Sequence, residues 1–194
     1  MHRLTSHFIL GYHGCRSSIG EDILAGKPFK QSNNNYDWLG SGIYFWESDP
    51  KRALEFCKEK RQRDNSKAST KWLDDDKPFV VGAIIDPRLC LDFTTTVPTD
   101  LLDTYSVYKE LADTSGLEMP KNSSNGLLKP LDCAVINMLH DVRMRQGFEP
   151  IDSLKGAYIE GEPIFEGSSL YDKTHIQICV RNKACIKGVF RVRP

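Results

Sequence analysis

Two short segments carry residues whose types and spacing could do chemistry. In "GYHG", residues 11–14, an apolar stretch ends in a histidine followed at once by a glycine. In "DWLGSGIYFWES", residues 37–48, Gly40 and Gly42 stand directly ahead of the aromatic run Ile43-Tyr44-Phe45-Trp46. A run rich in aromatic and β-branched residues reads as a strand, and glycines at its entrance suit close approach of another group to the backbone. His13 offers hydrogen bonds and proton transfer near neutral pH. Tyr44 offers a flat π face for stacking or for a cation, an attraction of the order of 1 kcal/mol or more once desolvated. A third segment, "THIQICV" at 174–180, adds His175 and Gln177, which share one face of an extended strand.

Familiar catalytic signatures are missing. The "GSG" at 40–42 precedes a strand rather than a helix and does not complete G-x-G-x-x-G, and there is no P-loop, no H-E-x-x-H and no G-x-S-x-G. Cys15 shares a strand face with His13 and could be a thiol nucleophile, but no third group is in place to orient the base. The six cysteines (Cys15, Cys57, Cys90, Cys133, Cys179, Cys185) are scattered without a C-x-x-C pair, which argues against a structural zinc site.

These segments need a scaffold. The chain has 194 residues, of which 40% are hydrophobic and 27% charged, enough for one domain over 1–194. The formal net charge is zero, so no global field draws it to nucleic acid or an anionic membrane. The basic runs "KEKRQR" (58–63) and Lys183 to Arg193 read as solvated faces, with nucleic-acid contact as the alternative. The apolar part of "MHRLTSHFILGYHG" is too short for a signal segment or a membrane span, so the expected setting is the cytoplasm, with reduced thiols and no membrane partner.

The element order is mixed. "HFILGYHG" reads as a first strand. "SSIGEDILAG" follows as a short helix, with Ser17 or Ser18 as N-cap and Gly26 as its stop. Residues 42–46 form the aromatic strand. "SDPKRALEFCKEKRQR" is the clearest helix, capped by Ser48 or Asp49, with Pro50 in its first turn and an apolar face of Ala53, Leu54, Phe56 and Cys57. "KPFVVGAIID" is a buried strand. Helical spacing over about 98–150 predicts a two-helix insert, and "LKGAYIEG", "KTHIQICV" and "IKGVFRV" return to strands. The fold class is α+β.

The pairing of "GYHG" with "GSGIYF", in that order and separated by a short helix, resembles the ADP-ribosyltransferase fold, in its poly(ADP-ribose) polymerase and diphtheria-toxin-like branch. That branch carries a histidine in a Y/W-H-G first strand, a tyrosine in a G-x-G-I-Y-F strand and a third residue, usually glutamate, on a late strand. The match is best over 8–57, weaker over 78–86 and 171–181, and absent over roughly 94–150.

The resemblance implies a split antiparallel β-sandwich around an NAD+ cleft, interrupted here by the helical insert, and an enzyme that cleaves NAD+ and passes ADP-ribose to a macromolecular acceptor. By the resemblance, His13 holds a ribose hydroxyl and Gly14 grips the carboxamide through its backbone. Tyr44 stacks the nicotinamide, Gly42 lets the cofactor close, and Tyr36 or Trp46 supplies the opposite wall. No metal is required, because the pyridinium charge already activates the leaving group.

Aligned on the late motif, Gln177 stands where the family has glutamate. A glutamine can bond a ribose hydroxyl but can neither neutralise charge nor take a proton. Three outcomes follow. The enzyme adds a single ADP-ribose; or another acid completes it, namely Glu166 or Glu162 in the loop "EGEPIFEGSSLYDK", or Glu47; or the domain only binds. His175 is a further candidate base, and the loop acids with Tyr171 are candidates for acceptor contact. The acceptor is protein or nucleic acid. The size and fold are analogous to a bacterial toxin or defence effector held in check by a neutralising partner. NAD+ hydrolysis and RNA 2′-phosphate transfer remain alternatives on the same fold.

Overall fold

The computed structural model describes residues 8–67, 69–95 and 99–193. Residues 1–7, in which the apolar amino-terminal stretch begins, and 96–98, at the entry to the expected insert, lie outside them. In chain order the elements are β1 (Ile9–Arg16), α1 (Ser17–Leu24), β2 (Ile43–Glu47), α2 (Pro50–Asn65), β3 (Pro78–Ile85), β4 (Cys90–Asp92), α3 (Thr99–Ser115), α4 (Pro130–Arg145), β5 (Ser153–Tyr158), β6 (His175–Val180) and β7 (Ile186–Arg191). The insert is therefore the helix pair α3 and α4, as its periodicity predicts. No helix among the described residues is long and apolar enough to cross a membrane.

The strands form one seven-stranded sheet in the order β4-β5-β6-β2-β1-β3-β7. This corrects the expectation of two separate antiparallel sheets on two counts. β6 pairs with β2 on one side and β5 on the other, with Val180 registered against both Ile43 and Ser153, so the halves are joined. β4 runs parallel to β5, so the sheet is mixed.

Both faces are covered. On one, α1 and the chain leading to β2 enclose Cys15, Phe29, Ile43, Phe45, Val81, Ile178 and Val180. On the other, α4 and the loop before β2 enclose Leu39, Ile136, Leu154 and Cys179, while α2 packs Ala53 against Trp46 and Val80.

Local caps follow the sequence in one case and not in the other. Asp49 caps α2, its carboxylate accepting from Arg52 N–H at 2.8 Å, with Pro50 at the first position. α1 has no cap of its own. Instead of Ser17 or Ser18, the buried carboxylate of Asp76 accepts from Ser18 N–H at 3.1 Å, and hydrogen bonds from Ser18 hold that carboxyl below the usual range.

The glycines before β2 have concrete tasks. Gly40 takes a φ of +75°, which a side chain rarely adopts. A Cβ on Gly42 would lie 2.4 Å from Cys179 Sγ and 2.9 Å from the Val180 carbonyl oxygen. The group brought close to the aromatic strand is thus β6. Gly42→Ala is expected to force β2 and β6 apart and lower stability by about 1–3 kcal/mol, read from the urea midpoint; an unchanged midpoint would show that the strands tolerate the spacing.

Candidate functional site

The ladder between β1 and β2 is short. Only Gly11↔Glu47 and Tyr12↔Trp46 are registered, whereas β1 pairs with β3 along its whole length, from Ile9↔Ile85 to Arg16↔Pro78. Ser48 N–H donates to the Leu10 carbonyl at 2.9 Å, so by the two-residue alternation the backbone groups of Leu10, Tyr12 and Gly14 point towards β2. At Gly14 no β2 residue is registered opposite. The His13 imidazole crosses this opening, with Nδ1 2.8 Å from the Tyr44 carbonyl oxygen. A carbonyl only accepts, so Nδ1 carries the proton and Nε2 the lone pair. Burial keeps this ring neutral by lowering its pKa.

Side chains alternate along strands, and the register sorts the candidates. Tyr12, Trp46 and Gln177 share one face, as do Tyr44 and Cys179. His13 belongs to the other, where its ring meets Phe29 edge-on at 5.3 Å and Phe45 at 5.7 Å. The His13 and Tyr44 side chains therefore lie on opposite faces, each beside the same opening in the ladder. The Tyr44 hydroxyl donates to the Gly40 carbonyl at 2.8 Å and accepts from Leu39 N–H at 3.0 Å, which ties the glycine loop to β2.

Gln177 is held at both ends. Its Oε1 accepts from Trp38 Nε1 at 2.6 Å, and its Nε2 lies 2.9 Å from His175 Nε2. His175 Nδ1 is 2.7 Å from the Lys173 carbonyl and so carries the proton, which leaves Nε2 as the acceptor for the Gln177 amide. Burial lowers the His175 pKa. This chemistry accounts locally for glutamine: a buried neutral imidazole presenting a lone pair needs a donor, which a carboxylate is not.

Around this pair run Trp38, Tyr158, His175, Trp46 and Phe56, with successive ring centroids 4.9–5.9 Å apart. Arg52 and Trp46, each only 3% exposed, belong to this same α2-covered face. Arg52 Nη2 meets Glu160 at 2.7 Å and Glu59 at 3.5 Å. Its Nε and Nη1, and Trp46 Nε1, have no hydrogen-bond partner among the described residues.

The remaining candidates are dispersed. Gly14 backs onto α2, where a Cβ would be 2.3 Å from the Ala53 carbonyl oxygen. Tyr36 is 46% exposed on the loop before β2. Glu162, Glu166 and Tyr171 are exposed in the 159–174 loop. Glu47 is paired with Lys155 at 2.8 Å and alternates onto the His13 face, away from Gln177. Burial pushes the Cys15 thiol up to about 12, so it is no nucleophile at neutral pH. All six cysteines are free, and no group of three or more potential metal ligands occurs among the described residues.

Reading the sequence missed Trp38, Arg52 and Tyr158. Trp38 stands inside the quoted "DWLG" but is polar only through one N–H, and Arg52 was legible only as part of a basic helix. Trp38 also walls an apolar cavity of about 270 Å³ with Leu101, Tyr105 and Val135 of the insert. No family model matches the chain, and neither a curated protein nor a solved structure matches it significantly.

Histidines 13, 140 and 175 all have pKa values lowered by burial, so the unfolded chain binds more protons than the folded one once the pH falls through the ordinary histidine range. Stability is then fully present above pH ~7 and declines towards pH ~5. Gln177→Glu replaces the donor facing His175 Nε2 with a carboxylate, so His175 should take up a proton and its pKa should rise. The stability loss between these pH values becomes shallower in the variant, read by urea unfolding and by NMR titration of the ring. Identical His175 titrations in the two proteins would dismiss the assigned bond.

Proposed function

We propose that the chain is a mono-ADP-ribosyltransferase using NAD+ as co-substrate. The observation that carries the reading is the opening in the middle of the sheet, bounded by the two segments whose sequence resembles that family. A primary carboxamide has one donor and one acceptor edge, like a peptide group. It can pair with the N–H and C=O of Gly14 as a strand fragment would. A cationic nicotinamide held there borders the Tyr44 ring, whose tilt is fixed by its two hydroxyl bonds.

In the reaction, the bond between ribose C1 and the nicotinamide nitrogen breaks. Its electron pair leaves with nicotinamide, which becomes neutral, and the lone pair of the acceptor forms the new bond to C1. The acceptor proton passes to water. Positive charge builds on the sugar as in glycoside cleavage, and Gln177 can align a ribose hydroxyl without countering that charge. One ADP-ribose is added and no chain is extended. Ile164 and Phe165, 51% and 63% exposed in the 159–174 loop, favour a protein acceptor over nucleic acid. A bacterial toxin or defence effector restrained by a partner protein is the setting this activity suits. The engagement of both ends of Gln177 by His175 and Trp38 favours a second reading, a domain that binds NAD+ without turning it over.

Incubation with NAD+ labelled in the adenylate separates these. Label on a macromolecule means transfer, free ADP-ribose means hydrolysis, and unchanged NAD+ with measurable binding means a binding module. Tyr44→Ala should reduce label transfer by about tenfold or more, equivalent to ~1.4 kcal/mol. Tyr44→Phe keeps the ring but releases its two hydroxyl bonds, and should fall between Tyr44→Ala and the unsubstituted protein. Full transfer by a folded Tyr44→Ala protein would refute the stacking role.

A further inference from the structure

Away from the opening in the sheet lies a polar cavity of about 330 Å³ that none of the chemistry above uses. Gln31, Ser41, His140, Asp152, Arg181 and Asn182 line it. It lies where β6 ends, behind the glycine loop that Tyr44 anchors. Gly40 shapes this region, because a Cβ there would come within 3.0 Å of Arg181 Nη1 and 2.8 Å of Asn137 Oδ1.

Arg181 and Asp152 bring opposite charges to the lining but form no ion pair with each other. Arg181 is half-buried, and the one hydrogen-bond partner of its guanidinium among the described residues is the neutral Asn137 side chain, at 3.0 Å from Nη1. No carboxylate among them forms an ion pair with it, unlike Arg52, Arg143 and Arg191, which all have one. Asp152, 7% exposed, is the acid of the lining, and its oxygens are taken by the Asn182 side-chain amide and by Leu89 N–H. Gln31 is likewise occupied, donating to the Arg181 carbonyl at 2.8 Å. His140 Nδ1 is sealed from solvent with no partner, and the Ser41 hydroxyl makes no bond among the described residues while its backbone N–H is fixed by Asn137 at 3.0 Å.

The geometry points to an oxyanion site for a small phosphate monoester, with Arg181 supplying the charge and the Ser41 hydroxyl and His140 ring supplying neutral contacts. A guanidinium just past β6 and two further polar groups, from the glycine loop and α4, border one cavity, and a guanidinium fork matches the oxygens of a phosphate. The volume is at the lower end of the ~300–1,000 Å³ typical of small-molecule sites, which admits a phosphate and a modest body. The site is independent of the proposed transferase reading.

Titration of the full chain with inorganic phosphate and, separately, with adenosine 5′-monophosphate tests it by amide NMR against chloride at matched ionic strength. Ser41 and Asn182 amides are expected to shift with saturation at low-millimolar or tighter affinity. Tighter binding of the nucleotide identifies a monoester, and equal affinity identifies free phosphate as the ligand; both support the oxyanion assignment. Arg181→Met should weaken binding by about tenfold or more, the worth of one charge-assisted bond. Arg181→Lys, which keeps a donor for Asn137 and hence the fold, should fall between, and Ser41→Ala should weaken it several-fold. Shifts no larger than those with chloride, or affinity unchanged in the folded Arg181→Met or Arg181→Lys protein, would overturn the site.

Discussion

The sheet is held across its weakest seam by one side chain. Where the backbone pairing of β1 and β2 ends, the His13 imidazole donates to the Tyr44 carbonyl at 2.8 Å. An unpaired strand edge inside a covered sheet costs free energy unless its groups find partners. His13 supplies one for Tyr44, and burial against Phe29 and Phe45 keeps the ring in the neutral form that can do so. Gly14 gains none from β2. The opening is therefore a built feature: its walls are fixed by pairing of β1 to β3 along its whole length and of β2 to β6 from Ile43 to Trp46, so a slip of one strand along the other is opposed.

α2 and β6 then determine what the opening adjoins. Ala53 packs on Gly14 so closely that any side chain there would displace the helix. Arg52, one residue earlier, is turned inward and neutralised by Glu160 and Glu59, while Lys173 shares Glu59 at 3.0 Å. This network ties the first turn of α2 to the loop and strand that carry His175 and Gln177. An ion pair this deep contributes little net stability but strongly penalises loss of either partner. Its clearest effect is to fix the spacing between the helix and the Gln177 strand.

Much of this was legible in the chain. Each strand from β1 to β7, the three-residue β4 in "PRLCLDF" included, lies in a segment whose composition reads as extended, and the helical insert follows from apolar spacing. The Asp49 cap and Pro50 give the start of α2 directly. The cap of α1 was not legible, because Asp76 reaches it from a distant loop. The joining of two sheets into one was not legible either, since it depends on β6 having two neighbours, and strand neighbours are a matter of tertiary choice. For the site, alternation predicts that His13 and Gly14 face opposite ways, but only the register with β2 reveals that Tyr44 sides with Gly14.

That arrangement constrains any ligand of the opening. A planar group inserted between the strand edges meets Gly14 backbone on one border and the Tyr44 ring on the α2-covered face, while His13 reaches it from the opposite face only through Nε2. The imidazole cannot rotate to offer Nδ1 without releasing the Tyr44 carbonyl, so binding and the integrity of the seam draw on the same hydrogen bond. A ligand that satisfies Gly14 replaces missing ladder contacts and strengthens the seam, whereas one that recruits His13 Nδ1 weakens it. Exposed strand-edge groups of this kind pair with groups that imitate a peptide rather than with those that merely fill space.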